Sequence, residues 1–71
     1  MGYQVKYETT DRQQATDKDT EALIRAWIET TKAALEAKGS LVVDSFYFPN
    51  PGTGKPDQHR GIVIYRQAVF V

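Results

Sequence analysis

The chain has 71 residues, with nine basic and nine acidic side chains, one histidine and no cysteine. A net charge of zero argues against a nucleic-acid partner, which selects a basic face, and equally against an acidic mimic of DNA. A chain this short hides only about 60% of the surface it exposes when unfolded, and without cysteine no disulfide or thiolate metal site supplements the core.

The first residues, Met1 to Lys6, lack an apolar run behind a basic start, so they do not read as a signal peptide, and Lys6 stands where a myristoylation signal wants Ser or Thr. No apolar run approaches the ~18 residues a membrane span needs. The expectation is one soluble cytoplasmic domain over 1–71, with no membrane partner. Tyr3 to Thr9 alternates, with Tyr3, Val5 and Tyr7 on one side and Gln4, Lys6 and Glu8 on the other, which predicts a half-buried strand. Thr10 to Ala15 is polar and aperiodic, and reads as a connector.

Thr16 to Gly39 predicts an amphipathic helix. Ile24, Trp27, Ile28, Thr31 and Leu35 recur at spacings of three and four, flanked by Leu23 and Ala34. Glu21, Arg25, Glu29, Lys32 and Glu36 lie opposite, with Glu21–Arg25, Arg25–Glu29 and Lys32–Glu36 one turn apart. Thr16 or Asp17 can cap the start, and Lys38-Gly39 forms a stop. Ala22, Ala26, Ala33 and Ala37 make a smooth strip beside the charges, read as a solvated helix face. Trp27 reads as core rather than as a cofactor platform.

Leu41 to Phe48 (LVVDSFYF) and Gly61 to Val71 (GIVIYRQAVFV) predict two more strands, separated by the Pro-rich loop 49–60. The order β-α-β-β, with the last strand the most apolar, predicts an α+β fold. Its three-stranded antiparallel sheet has spatial order 1-3-2, and the helix packs across one face. The alternative pairs the first two strands through a right-handed crossover.

This architecture leaves one sheet face uncovered. In the second strand Leu41, Val43 and Tyr47 alternate against Val42, Phe46 and Phe48. In the third, Ile62, Ile64 and Phe70 alternate against Val63, Tyr65, Val69 and Val71. Whichever set the helix covers, the other is apolar too, whereas the first strand is expected to give the open face mostly polar residues. An exposed apolar face marks an interaction surface, unless a β-bulge switches faces and buries more than alternation allows. The two free edges of the sheet offer further pairing sites.

Catalytic patterns fail. Gly52-Thr53-Gly54-Lys55 has Pro49 where a phosphate-binding loop needs glycine, Pro56 where it needs Ser or Thr, and a strand where a helix should follow. His59 with Ser45 and Asp44 lacks anything to bring the three together, and one imidazole without a thiol is a poor metal site. Lys55, His59 and Arg60 instead suggest a cationic loop tip. With Phe46, Phe48 and Tyr65 they form the expected partner-binding set. The four tyrosines, Tyr3, Tyr7, Tyr47 and Tyr65, suit a recognition surface as well. The leading expectation is a non-catalytic protein–protein interaction module, a regulator, adaptor or inhibitor, of which a phage-borne inhibitor of host defence is one form. It would dock on a protein partner or on copies of itself, with no catalytic residue, metal or cofactor.

The length, the strand-helix-strand-strand layout and a long last strand with alternating apolar residues from Ile64 to Val71 resemble the dodecins. That resemblance implies an oligomeric shell that stacks flavin between subunits, and a small-ligand binder of that kind is the alternative function. The dodecin tryptophan that stacks on flavin, at the start of the second strand, has Ser40 and Leu41 in its place here, so no flavin site is assigned to this chain.

Overall fold

The computed structural model describes residues 2–50, 52, 54, 55 and 57–69. Met1, three loop residues (Pro51, Thr53 and Pro56) and the last two residues of the expected third strand (Phe70 and Val71) lie outside that set. The elements run β1 (Gly2–Gln13), α1 (Asp17–Ala37), β2 (Leu41–Phe48) and β3 (Gln58–Val69). The sheet order is β1-β3-β2 with both pairings antiparallel, as the apolarity of the last strand predicts. The crossover alternative is not adopted.

Both long strands exceed their predicted bounds. β1 continues through the polar connector because Thr10, Asp11, Arg12 and Gln13 pair in unbroken register with Gly61, Arg60, His59 and Gln58. Backbone pairing, not side-chain pattern, extends it. The loop between β2 and β3 shortens accordingly to 49–57.

The helix forms as its signals require. The Thr16 side chain accepts a hydrogen bond from the Asp19 N–H at 3.1 Å, and Asp17 and Asp19 place negative charge in the first turn. At the other end Gly39 adopts φ 86°. There the N–H groups of Gly39 and Ser40 bond back to the carbonyls of Glu36 and Leu35, both at 3.0 Å, a Schellman closure that favours glycine. Glu21–Arg25 pairs at 3.0 Å. Lys32 reaches back to Glu29 at 3.7 Å instead of forward to Glu36.

Ile24, Ile28 and Leu35 bury the helix's apolar stripe against Val63 and Tyr65 of β3, with Trp27, Val42 and Tyr47 packed around them. Thr20, absent from the expected stripe, is fully buried. Its hydroxyl donates to the Thr16 carbonyl at 2.9 Å and accepts the Gln14 N–H at 3.0 Å, tying the connector to the helix. The closest approach of helix to sheet is at Gly61. A Cβ there would stand 2.9 Å from Ile24 Cγ2 and 3.1 Å from the Trp27 ring, so the crossing requires glycine.

Candidate protein-interaction surface

Directly paired residues of an antiparallel ladder share a face, so the register sorts every strand residue. The helix side holds Gln4, Lys6, Glu8, Thr10 and Arg12 of β1 beside Gln67, Tyr65, Val63, Gly61 and His59 of β3. The opposite side holds Tyr3, Val5, Tyr7, Thr9 and Asp11 beside Ala68, Arg66, Ile64, Ile62 and Arg60. The expectation that β1 gives the open face polar residues is therefore reversed. Its apolar side faces away from α1 and its polar side faces toward it. The helix lies mainly along β3, so β1 sits at the margin, where covered apolar residues would gain little.

β2 carries a bulge between Val42 and Asp44. Val42, Ser45 and Tyr47, opposite Tyr65, Val63 and Gly61, face the helix, while Leu41, Asp44, Phe46 and Phe48, opposite Arg66, Ile64, Ile62 and Arg60, face away. The bulge does switch faces, so Tyr47 joins Val42 rather than Val43. It also gathers Leu41, Phe46 and Phe48 on the uncovered side instead of hiding them.

The result is a broad apolar face. Tyr3, Val5, Tyr7, Leu41, Phe46 and Phe48 are all exposed, from 40% at Phe48 to 73% at Val5. The Phe46 and Phe48 rings stack at 6.2 Å, and Ile62 and Ile64 lie half-buried between the flanking strands. Among the described residues, only five hydrophobic side chains are buried in the core, fewer than the six exposed here. Charges on this face are few and largely engaged. Arg60 grips Asp11 through two bonds of 2.7 and 3.0 Å, which holds the Asp11 carboxyl below its ordinary value. Arg66 lies 4.4 Å above the Tyr3 ring, and Asp44 accepts the Ser45 N–H at 2.8 Å. Apolar residues fill the middle while the Arg60–Asp11 pair closes one end.

The expected partner-binding set is split by the sheet. Phe46, Phe48 and Arg60 share the open face. His59 and Tyr65 lie under the helix at 3% and 7% exposure, so neither presents a contact surface. Lys55 is exposed in the loop. His59 does not join Lys55 and Arg60 in a cationic tip, because neighbouring strand residues point to opposite sides and His59 and Arg60 are neighbours in β3. His59 Nδ1 and the Tyr47 hydroxyl are 2.6 Å apart, and His59 Nε2 lies 3.2 Å from Asp17 Oδ1. Both ring nitrogens are thereby engaged. Tyr47 packs against the imidazole and under the Arg25 guanidinium, and burial raises its hydroxyl above the ordinary tyrosine range. Ser45 and Asp44 face opposite sides of the sheet and neither joins His59.

The sequence suggests Tyr3 and Tyr7 for a recognition surface only together with Tyr47 and Tyr65, which face the helix, and it gives no sign of Val5. The alternation of β1 was visible, but its direction was not. Two shallow depressions flank the helix. One, of about 220 Å³, is lined by Arg25, Glu29 and Phe46, and the other, of about 490 Å³, by Glu8, Lys38, Tyr65 and Gln67. Among the described residues no group of three His, Asp or Glu side chains could hold a metal ion, and no helix is long and apolar enough to cross a membrane. No family model, curated protein or solved structure matches the chain. The similarity to dodecins therefore rests on length, element order and the long last strand.

Proposed function

We propose that this chain is a non-catalytic protein–protein interaction module that docks its partner on the open face of the sheet. The observation that carries this reading is the pair of exposed apolar rows on the side away from α1, Tyr3, Val5 and Tyr7 on β1 and Leu41, Phe46 and Phe48 on β2, with half-buried Ile62 and Ile64 of β3 between them. The face measures roughly 40 Å along β3 by 14 Å across three strands, from ordinary strand dimensions. It is flat and has no excess of either charge, which suits another apolar protein face and offers little to phosphates. Burial of His59 at 3% exposure supports the non-catalytic part of the reading, since a substrate has little access to its ring.

A photo-crosslinking residue at position 46, compared with one at Ala26 or Ala33 on the exposed side of α1, tests this in cells. The expected result is a protein adduct from position 46 alone, lost when Val5→Lys charges the β1 side of the face. An adduct of twice the chain's mass would identify the occupant as a second copy. Adducts equally strong from the helix positions, none from position 46, or adducts with nucleic acid would overturn the reading.

A further inference from the structure

The two edges of the sheet are built differently. β2 carries the marks that natural proteins use to block edge pairing: a bulge at Val43, Asp44 beside it, and Pro49 just beyond its end. β1 carries neither proline nor bulge across its 12 residues, and its four charges, Lys6, Glu8, Asp11 and Arg12, are balanced in sign, so they can pair across the edge as well as guard it. All of its residues are exposed except the half-buried Thr10, and on its outer side every second residue turns an N–H and a C=O toward solvent.

We infer that β1 pairs antiparallel with β1 of a second copy, joining two three-stranded sheets into one of six strands. The register follows from the side chains. With Tyr7 opposite its own symmetry mate, Lys6 meets Glu8 of the partner subunit, and the same pair recurs across the two-fold axis. Val5 then faces the partner's Thr9, Gln4 its Thr10, Tyr3 its Asp11 and Gly2 its Arg12. No like charges meet, and 11 residues of each β1 (Gly2 to Arg12) are paired. Moving the register by one step of two residues sets Lys6 against its mate in one direction and Glu8 against its mate in the other. A further step brings Arg12 against the partner's Lys6 or shortens the pairing to seven residues. Eleven pairs in an alternating ladder make about 10–12 backbone hydrogen bonds, as many as a typical protein interface carries.

The arrangement also accounts for the unusual facing of β1. Each α1 lies along its own β3, three strand spacings from the other, so the two helices stand about 14 Å apart, wider than the 8–10 Å of packed helices. The gap is an open groove floored by β1 of both copies. Gln4, Lys6, Glu8, Thr10 and Arg12 would form that wet floor, which explains why the polar side of β1 points toward the helices. Lys6 makes no ion pair among the described residues, so its ammonium is available for the partner's Glu8. On the reverse, the two open faces merge into one. Self-pairing through β1 uses the edge and leaves the face free, so it stands independently of the docking reading above.

The test combines sedimentation with cysteine crosslinking in a chain that has no cysteine of its own. The wild-type chain should sediment as a dimer. Lys6→Glu, which sets two acids opposite each other twice, should weaken the dimer about tenfold or more, and Lys6→Glu combined with Glu8→Lys should restore it. Tyr7→Cys should give a disulfide-linked dimer under mild oxidation, since paired Cα atoms 4.5–5.5 Å apart permit the bond. Tyr3→Cys, roughly 27 Å from its mate in this register, should not. A wild-type monomer, a dimer indifferent to Lys6→Glu, or equal crosslinking at positions 3 and 7 would each overturn the proposal. None of these results bears on adducts from position 46.

Discussion

Replacing Gly61 by alanine adds one methyl group at the point where α1 crosses β3. The new carbon would lie 2.9 Å from Ile24 Cγ2 and 3.1 and 3.2 Å from two atoms of the Trp27 ring, against a comfortable carbon separation of 3.5–4.0 Å. Neither side can give way easily, because Ile24 and the nearby Val63 are fully buried. Overpacking of this kind destabilises by about 1–3 kcal/mol. In a strand without such an obstacle, alanine would stabilise relative to glycine by roughly 0.5–1 kcal/mol. The net expectation is a loss of about 1.2 kcal/mol, or a midpoint lowered by about 5–10 °C for a domain of this size. Thermal unfolding followed by circular dichroism, at one fixed protein concentration, reads it directly. The same substitution combined with Ile24→Ala should destabilise less than the sum of the two, because the added methyl group enters the space that Ile24 vacates. Should Ile24→Ala alone fail to fold, recovery of helical signal in the double variant reports the same coupling. A Gly61→Ala chain as stable as wild type, or more stable, would refute the close approach.

Three further outcomes follow from the same geometry. Thr16→Ala removes the acceptor for the Asp19 N–H and should destabilise by about 1 kcal/mol, whereas Thr16→Ser should restore most of it in denaturant titrations. The Asp11 carboxyl is held below its ordinary 3.8 chiefly by its hydrogen bonds to Arg60. Its contribution is therefore present above pH 3.8 and lost as the pH falls below that value, so Asp11→Asn should lose less stability than wild type between pH 5 and pH 2.5. Tyr65 is pushed above its ordinary 10.0, first by burial and then by the charge of Glu8. The folded chain thus keeps a proton that the unfolded chain releases, so stability should fall as the pH rises past 10. Tyr65→Phe should flatten that fall in alkaline unfolding curves.

Much of the fold was written in local signals. The stripe from Ile24 to Leu35, the cap at Thr16 and the stop at Gly39 depend on residues within a turn or two of each other, and they read correctly for that reason. The sheet order followed from the apolarity of the last strand. What could not be read was direction. Alternation divides β1 into two sets, and transfer of apolar surface out of water favours putting Tyr3, Val5 and Tyr7 inward. The register with β3 does the opposite, because the helix is only wide enough to cover the row from Gly61 to Tyr65. His59 misled for a related reason. A polar Gln58-His59-Arg60 run after a Pro-rich stretch resembles a loop, and only the distant partners Tyr47 and Asp17 make its burial tolerable. Thr20 is the same case in miniature, a polar side chain made buriable by bonds to Gln14 and Thr16.

The shortage of buried hydrophobics and the excess of exposed ones belong to one energetic problem. Five buried hydrophobic side chains among the described residues make a thin core for a chain of 71 residues, while the exposed face keeps in water the groups that could widen it. A ligand that binds only the folded state adds stability according to its concentration, about 2.7 kcal/mol at a hundred times its Kd. Any protein that covers Val5, Tyr7 and Phe46 would therefore also act on the folding equilibrium. The midpoint of unfolding should rise with the concentration of such a partner, and with the chain's own concentration if β1 pairs with itself. Val5→Lys lies on the face and Lys6→Glu on the opposite side of the same strand, and neither side chain belongs to the buried core. The first should abolish the response to a face-bound partner and the second the response to self-concentration, so the two couplings can be separated in one set of melting curves.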